Sequence, residues 1–138
     1  MTHTIARTAH LALAWLLVAG LAVQIFLAGL GVFAGAENFA THRDMGYLLG
    51  LLPILMAVAA AIGRLGRRQI VLAVVIFALF MLQSVFVALR NSTPAIAALH
   101  PVNGFLIAYL AIGVARGAWE RRSDAVAAGA PSLAGETP

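Results

Sequence analysis

The chain has 138 residues, of which 62% are hydrophobic and only 10% are charged. Because soluble proteins carry roughly 25% charged residues, this composition excludes an ordinary soluble domain. The formal net charge is +4 and cysteine is absent, which excludes disulfide bonds, thiolate metal sites and a cysteine nucleophile.

Four long apolar segments predict four membrane-spanning helices. A helix needs about 20 apolar residues to cross a bilayer. Because lipid offers no hydrogen-bond partners, the backbone of such a segment must pair with itself, as it does in a helix. The predicted helices cover residues 11–34, 40–63, 69–89 and 94–117. We therefore predict an all-α integral membrane four-helix bundle within residues 1–122, followed by a disordered tail over 123–138. Before the first span, His3 is expected in a flexible arm, and both His3 and His10 are expected to be solvated.

The arginines predict the orientation of this bundle, since the chain contains no lysine. Most of them fall at one set of helix ends: Arg7, Arg64, Arg67, Arg68, Arg116, Arg121 and Arg122. The positive-inside rule places this end, with both termini, on the cytoplasmic side of the membrane, which we expect to be a bacterial inner membrane. Because these arginines are strung between apolar spans, they indicate membrane orientation and not nucleic-acid binding.

An internal repeat indicates that the bundle consists of two tandem helical hairpins. The sequence HRDMGYLL, which begins at His42, returns as HPVNGFLI, which begins at His100. A glutamine precedes each copy, Gln24 in the first half and Gln83 in the second. Two parallel repeats imply a pseudo-twofold axis along the membrane normal. Both histidines are then expected at matching depth near the outer ends of the second and fourth helices.

The two histidines predict a haem b site with His42 and His100 as the axial metal ligands. Bis-histidine ligation needs two imidazoles that face each other across a flat macrocycle. One helical turn further along, Gly46 and Gly104 fall on the same helix faces as the histidines. Residues without side chains at these positions are expected to leave space for the macrocycle and to contact it.

Four further polar residues complete the predicted cofactor site. Arg43 and Arg90 are the only cations expected at the outer end, and arginine suits the pairing of haem propionates. The glutamines Gln24 and Gln83 are expected deeper in the outer half of the membrane. They would bind a cofactor edge, a quinone carbonyl or each other, or would serve only as interhelical packing.

These residues resemble one four-helix half of heme A synthase, and also the haem-binding helices of membrane b-type cytochromes. The His42-Arg43 step at the start of the second helix matches the His-Arg step of the synthase pattern, and His100 corresponds to the ligand on the fourth helix. The glutamate that the family carries three residues before the histidine is Phe39 here, and the family's pair of outer-loop cysteines is absent. The resemblance implies a four-helix bundle that holds haem between His42 and His100.

The resulting functional prediction is a membrane haem protein for electron transfer or haem handling, more an electron carrier or accessory subunit than a stand-alone enzyme. Its expected partners are the lipid bilayer and either a quinone or a respiratory or haem-maturation complex. Small residues on the helix faces would also permit a homodimer. The alternative is a cofactor-free accessory subunit or small transporter whose histidines serve packing or proton sensing.

Overall fold

The computed structural model describes residues 1–129, and within this range the chain is helical without any β-strand. The α-helices are α1 (Thr2–Phe33), α2 (Phe39–Ile62), α3 (Arg67–Ala88), the short α4 (Pro94–Ala97) and α5 (Leu99–Gly129). Taken with the short helical turns beside them, the long helices form four segments that are long and apolar enough to cross a membrane. The prediction of an all-α bundle of four spanning helices is confirmed.

The four long helices pack as a square. Helix α1 contacts α2 and α5, and α3 contacts the same two helices. Across the two diagonals of the described bundle, the backbones of α1 and α3, and those of α2 and α5, stay apart. The apolar core at the centre is built from Ala14, Leu17, Met56, Ile76, Phe80, Ile107, Ala111 and Val114. Each predicted hairpin therefore supplies one helix to each diagonal.

The first turns of the chain are helical and docked, in contrast to the flexible arm expected there. Helix α1 begins at Thr2, well before the predicted start at residue 11. The side chains of His3 and Arg7 lie on the end of α2, where they contact the carbonyl oxygens of Ile62 at 2.7 Å and Gly63 at 2.9 Å. These contacts satisfy carbonyls that a helix C-terminus otherwise leaves unpaired, and they hold the start of α1 in place.

The last predicted span also differs from the structure. It is divided at Ala98 into α4 and α5, because Pro101 has no N–H to bond the Ala97 carbonyl. Beyond the predicted end at residue 117, α5 continues to Gly129. The expected disordered tail is therefore helical over 123–129, where alanine favours a helix. Its remaining part, 130–138, lies outside the described residues.

The two ends of the bundle carry different polar groups. We call the end with the start of α1 and the 63–66 turn the N-terminal end, and the end with the 34–38 and 89–98 connections the histidine-pair end. At the N-terminal end, His10 is fully buried, so the expectation that it is solvated was wrong. Because α1 starts early, His10 lies inside the bundle, where its Nδ1 is 2.9 Å from the Met56 carbonyl oxygen.

Gln69 completes this buried polar network. Its amide lies 3.3 Å from Nε2 of His10. In the amide orientation that satisfies all its neighbours, Gln69 donates to His10 Nε2 and accepts from both terminal nitrogens of Arg121, at 2.9 and 3.2 Å. The network joins α1, α2, α3 and α5, and it leaves His10 with a donor at Nδ1 and an acceptor at Nε2.

Candidate functional site: a histidine pair between diagonal helices

His42 and His100 meet inside the histidine-pair end of the bundle. Their ring centroids are 6.1 Å apart and the ring planes are inclined at 63°. His42 lies in the first turn of α2 and His100 is the second residue of α5, so the two rings come from diagonal helices and reach towards each other across the bundle. Both side chains are half-buried. The repeated sequence element thus produces a pair of neighbouring imidazoles in an edge arrangement.

Each histidine is held by a backbone carbonyl of the preceding helix. Nδ1 of His42 lies 3.1 Å from the carbonyl oxygen of Gln24, and Nδ1 of His100 lies 3.4 Å from that of Gln83. A carbonyl oxygen only accepts hydrogen bonds, so Nδ1 carries the proton in each ring and Nε2 keeps its lone pair. Within the described residues, neither Nε2 has a hydrogen-bond partner. Metal-ligating histidines have this arrangement, with the second ring nitrogen donating to a carbonyl.

The predicted glycine positions are packed against the glutamine side chains. A Cβ built on Gly46 would lie 2.8 Å from Nε2 of Gln24, and one built on Gly104 would lie 3.3 Å from Nε2 of Gln83. The space that the glycines leave is therefore taken up by the two amides, one in each half. The structure thus brings each histidine together with one glutamine and one glycine, as two copies of one arrangement.

One buried residue, which the sequence analysis did not single out, breaks this twofold symmetry. Nδ2 of Asn103 donates to the backbone oxygen of Leu79 and to Oε1 of Gln83, each at 2.9 Å. At the equivalent position of the first half stands Met45, which offers no donor. Accordingly, Oε1 of Gln24 is buried and lacks a hydrogen-bond partner among the described residues. A comparison of the two copies of the repeat could have identified this residue, because Asn103 in HPVNG stands where HRDMG has Met45.

The two arginines predicted for this end lie on the surface beside the site. Nε of Arg43 is paired with Oδ1 of Asp44 at 2.8 Å, and both side chains are exposed. Arg90 is also exposed, and its Nη1 donates to the Val87 carbonyl oxygen at 3.2 Å. In these positions neither guanidinium contacts the histidines. Phe39, which stands where the resembling family has a glutamate, packs edge-on against His42 with ring centroids 6.3 Å apart.

The donor set at the histidine pair fits a metal that already carries other ligands. In the described part of the chain, no third His, Cys, Asp or Glu joins the pair, whereas a bare structural zinc ion takes four ligands. A haem iron needs only two axial ligands from the protein. With metal–imidazole bonds of roughly 2 Å on each side, two axial imidazoles have centroids roughly 6 to 6.5 Å apart. The 6.1 Å separation observed agrees with this requirement.

Among the comparisons with known proteins, one family model matches part of the chain, and its description names no activity. A model of a family of unknown function (DUF6220) matches residues 24–89. This stretch runs from Gln24 through α2 and α3, so it includes His42 and Gln83 but stops before His100. No curated protein and no solved structure matches the chain. The function is therefore argued from the geometry of the site.

Proposed function

We propose that the protein holds one haem b between His42 and His100 in the membrane. The observation that carries this proposal is the pair of neighbouring imidazoles, each with Nδ1 on a glutamine carbonyl and with Nε2 without a hydrogen-bond partner among the described residues. Histidines that merely pack or bridge helices have no need to keep the same nitrogen free in both halves. The resemblance to one half of heme A synthase and to membrane b-type cytochromes points the same way.

The residues of the chain have separate roles in this proposal. His42 and His100 would hold the haem iron through their Nε2 atoms, and the Gln24 and Gln83 carbonyls would fix the tautomer and raise the basicity of the ligating nitrogen. The amides of the two glutamines, together with Gly46 and Gly104, line the buried side of the site. When bound, the haem supplies one-electron redox chemistry, whose potential depends on its axial ligands, burial and hydrogen bonds.

The position of the site supports a role at the outer face of a bacterial inner membrane, with both termini in the cytoplasm. Arg43 and Arg90 lie at the histidine-pair end, and we assign them to the haem propionates. Their present partners, Asp44 and the Val87 carbonyl, are exposed and therefore weakly held. Electron transfer or haem handling beside a respiratory or haem-maturation complex fits this placement better than stand-alone catalysis.

A second candidate is a cofactor-free membrane subunit in which the histidines join the helices. The observation that favours it is that the amides of Gln24 and Gln83 already fill the space beside Gly46 and Gly104. Under this alternative, the Nδ1 bonds of His42 and His100 would tie α1 to α2 and α3 to α5. It leaves both Nε2 atoms without a role.

A spectrum of the purified protein separates the two candidates. After expression with added haem precursor and purification in mild detergent, the reduced-minus-oxidised spectrum should show a Soret band and a sharp α band. His42→Ala and His100→Ala should each abolish the low-spin bands, because each removes one axial nitrogen. His3→Ala is the matched control, since His3 is exposed and distant from the pair. Absence of haem bands from the wild-type protein would leave the cofactor-free alternative.

A further inference from the structure

The N-terminal end of the bundle carries positive charge that the described chain does not neutralise. Seven of the nine arginines belong to this end, against two described carboxylates, Glu120 and Asp124. Within residues 1–129, none of these arginines forms an ion pair with a carboxylate, and the pair that the structure shows, Arg43 with Asp44, is at the opposite end. Guanidinium groups without carboxylate partners can donate to an external anion.

One of these arginines is held in place by the interior of the protein. Both terminal nitrogens of Arg121 donate to the side-chain oxygen of Gln69, at 2.9 and 3.2 Å, in the amide orientation that satisfies all neighbours of Gln69. Gln69 is only 3% exposed, whereas Arg121 is exposed. A long side chain normally loses rotamer freedom when it binds a partner. Because Gln69 already fixes Arg121, part of this entropic cost has been met before an anion binds.

Arg68 brings a second guanidinium to the same place. It precedes Gln69 in the first turn of α3, whereas Arg121 comes from α5, and the two side chains are near enough for their positive charges to repel each other. Both are exposed. Two like charges at close range are unfavourable alone, and an anion between them reverses the sign of the interaction. The pair therefore favours an anionic ligand.

The depth of this pair matches that of lipid phosphate. Helix α3 has 22 residues, which amount to about 33 Å and are close to the roughly 30 Å of hydrocarbon in a bilayer. Its first turn therefore lies where hydrocarbon meets the headgroups. Val71 and Val75 further along α3 are exposed apolar side chains that acyl chains can contact. Trp119 on α5 is exposed at the same end, as tryptophans at membrane interfaces are.

We propose that Arg68 and Arg121 bind the phosphate of an anionic phospholipid, and that Gln69 positions Arg121 for this contact. Both guanidinium groups would donate to phosphate oxygens, while the acyl chains lie along the apolar surface below. A free phosphate would gain nothing from that apolar surface. A zwitterionic lipid carries an ammonium group beside its phosphate, which the other arginines of this end would repel. This lipid site is at the opposite end from the histidine pair and does not depend on haem.

The test counts the lipids bound to the full-length protein by native mass spectrometry from dodecyl maltoside. The probes are dioctanoyl phosphatidylglycerol and dioctanoyl phosphatidylcholine, which have equal acyl chains and differ in net charge. We expect the first phosphatidylglycerol to bind roughly thirtyfold more tightly than phosphatidylcholine, since each arginine near a membrane surface contributes separately to the attraction of an anionic lipid. Glycerol phosphate, the soluble counterpart, should not displace it.

Two double variants separate this site from the general attraction of a basic surface. Arg68→Gln with Arg121→Gln should remove nearly all of the preference for phosphatidylglycerol. Arg64→Gln with Arg122→Gln removes the same charge from the same end, and it should lower the preference by no more than a few-fold, because Gln69 holds neither residue. Arg68→Gln alone leaves the contacts of Gln69 intact and should lower the preference roughly fivefold.

The positioning role of Gln69 has its own variant. Gln69→Leu should lower the preference for phosphatidylglycerol although both arginines are still present, because Arg121 is no longer held. Binding of phosphatidylcholine should stay unchanged, whereas a general loss of structure would lower the binding of both lipids. A preference equal to that of the wild-type protein would contradict the positioning role.

Three results would overturn the lipid site itself. Equal binding of the two lipids by the wild-type protein would show that the arginine pair does not select an anion. Equal losses in the two double variants would show that the basic surface acts as a whole, without a defined site. Displacement by glycerol phosphate would assign the pair to a soluble phosphate instead of a lipid. None of these results bears on the presence of haem.

Discussion

His10 on α1 and Gln69 on α3 are joined by a 3.3 Å hydrogen bond, although the backbones of these two diagonal helices do not meet. The other diagonal, α2 with α5, is bridged at the opposite end of the bundle by His42 and His100. Each diagonal is therefore spanned once by polar side chains, and the two bridges lie at opposite ends. The N-terminal bridge has all its ring nitrogens paired, whereas the histidine pair keeps both Nε2 atoms free.

The first prediction concerns the stability of this N-terminal bridge. His10→Ala removes two buried hydrogen bonds and leaves the Gln69 amide without one of its partners. We expect a loss of about 1 to 3 kcal/mol in the free energy of unfolding, the usual cost of an unsatisfied buried polar group. The measurement is SDS-induced unfolding in mixed micelles, followed by circular dichroism.

His3→Ala is the control for this experiment. His3 also bonds a carbonyl, that of Ile62, but it does so at the exposed surface. Surface substitutions usually change stability by no more than about 0.5 kcal/mol. An equal loss in both variants would show that the buried network of His10 contributes nothing beyond an ordinary surface contact.

The second prediction compares two glycines in spanning helices. Replacing glycine with alanine inside a helix normally stabilises it by about 0.5 to 1 kcal/mol. Gly113→Ala should show this gain, because a Cβ there meets nothing within 4 Å. Gly46→Ala should not, because its Cβ would displace the Gln24 amide from 2.8 Å. The same unfolding assay measures both variants. A comparable gain in Gly46→Ala would mean that the amide moves away without cost.

The repeated element explains which parts of this site were predictable. His42, His100 and their glutamines could be paired from sequence because duplication places equivalent residues in equivalent positions. The burial of His10 could not be predicted, because the spanning helices are apolar on every side and their pattern does not identify an inward face. The role of Asn103 depends on the exact approach of α3 to α5. The docked start of α1 likewise depends on carbonyls at the end of α2.

The third prediction uses the one asymmetric contact of the site. Asn103→Leu removes the donor to Gln83 Oε1 and to the Leu79 carbonyl, so the second half acquires an unpaired amide oxygen like that of Gln24. We expect a loss of about 1 to 3 kcal/mol in unfolding free energy. Met45→Leu, at the equivalent position of the first half, changes only shape and should cost less than about 1.5 kcal/mol. If the two variants lose equal stability, the hydrogen bonds of Asn103 make no net contribution to the free energy of unfolding.

The fourth prediction tests the assignment of the two arginines to haem propionates. In the double variant Arg43→Gln, Arg90→Gln, haem should dissociate a few-fold faster, since exposed ion pairs contribute about 0.2 to 1 kcal/mol each. The low-spin spectrum should be unchanged, because neither guanidinium contacts the axial histidines. The rate of haem dissociation is measured as haem transfer to a scavenging apoprotein.

Arg64→Gln is the control, since Arg64 lies in the turn at the N-terminal end. A rate equal to that of the control would remove the arginines from the site, and an altered spectrum would mean that they act through the ligands instead.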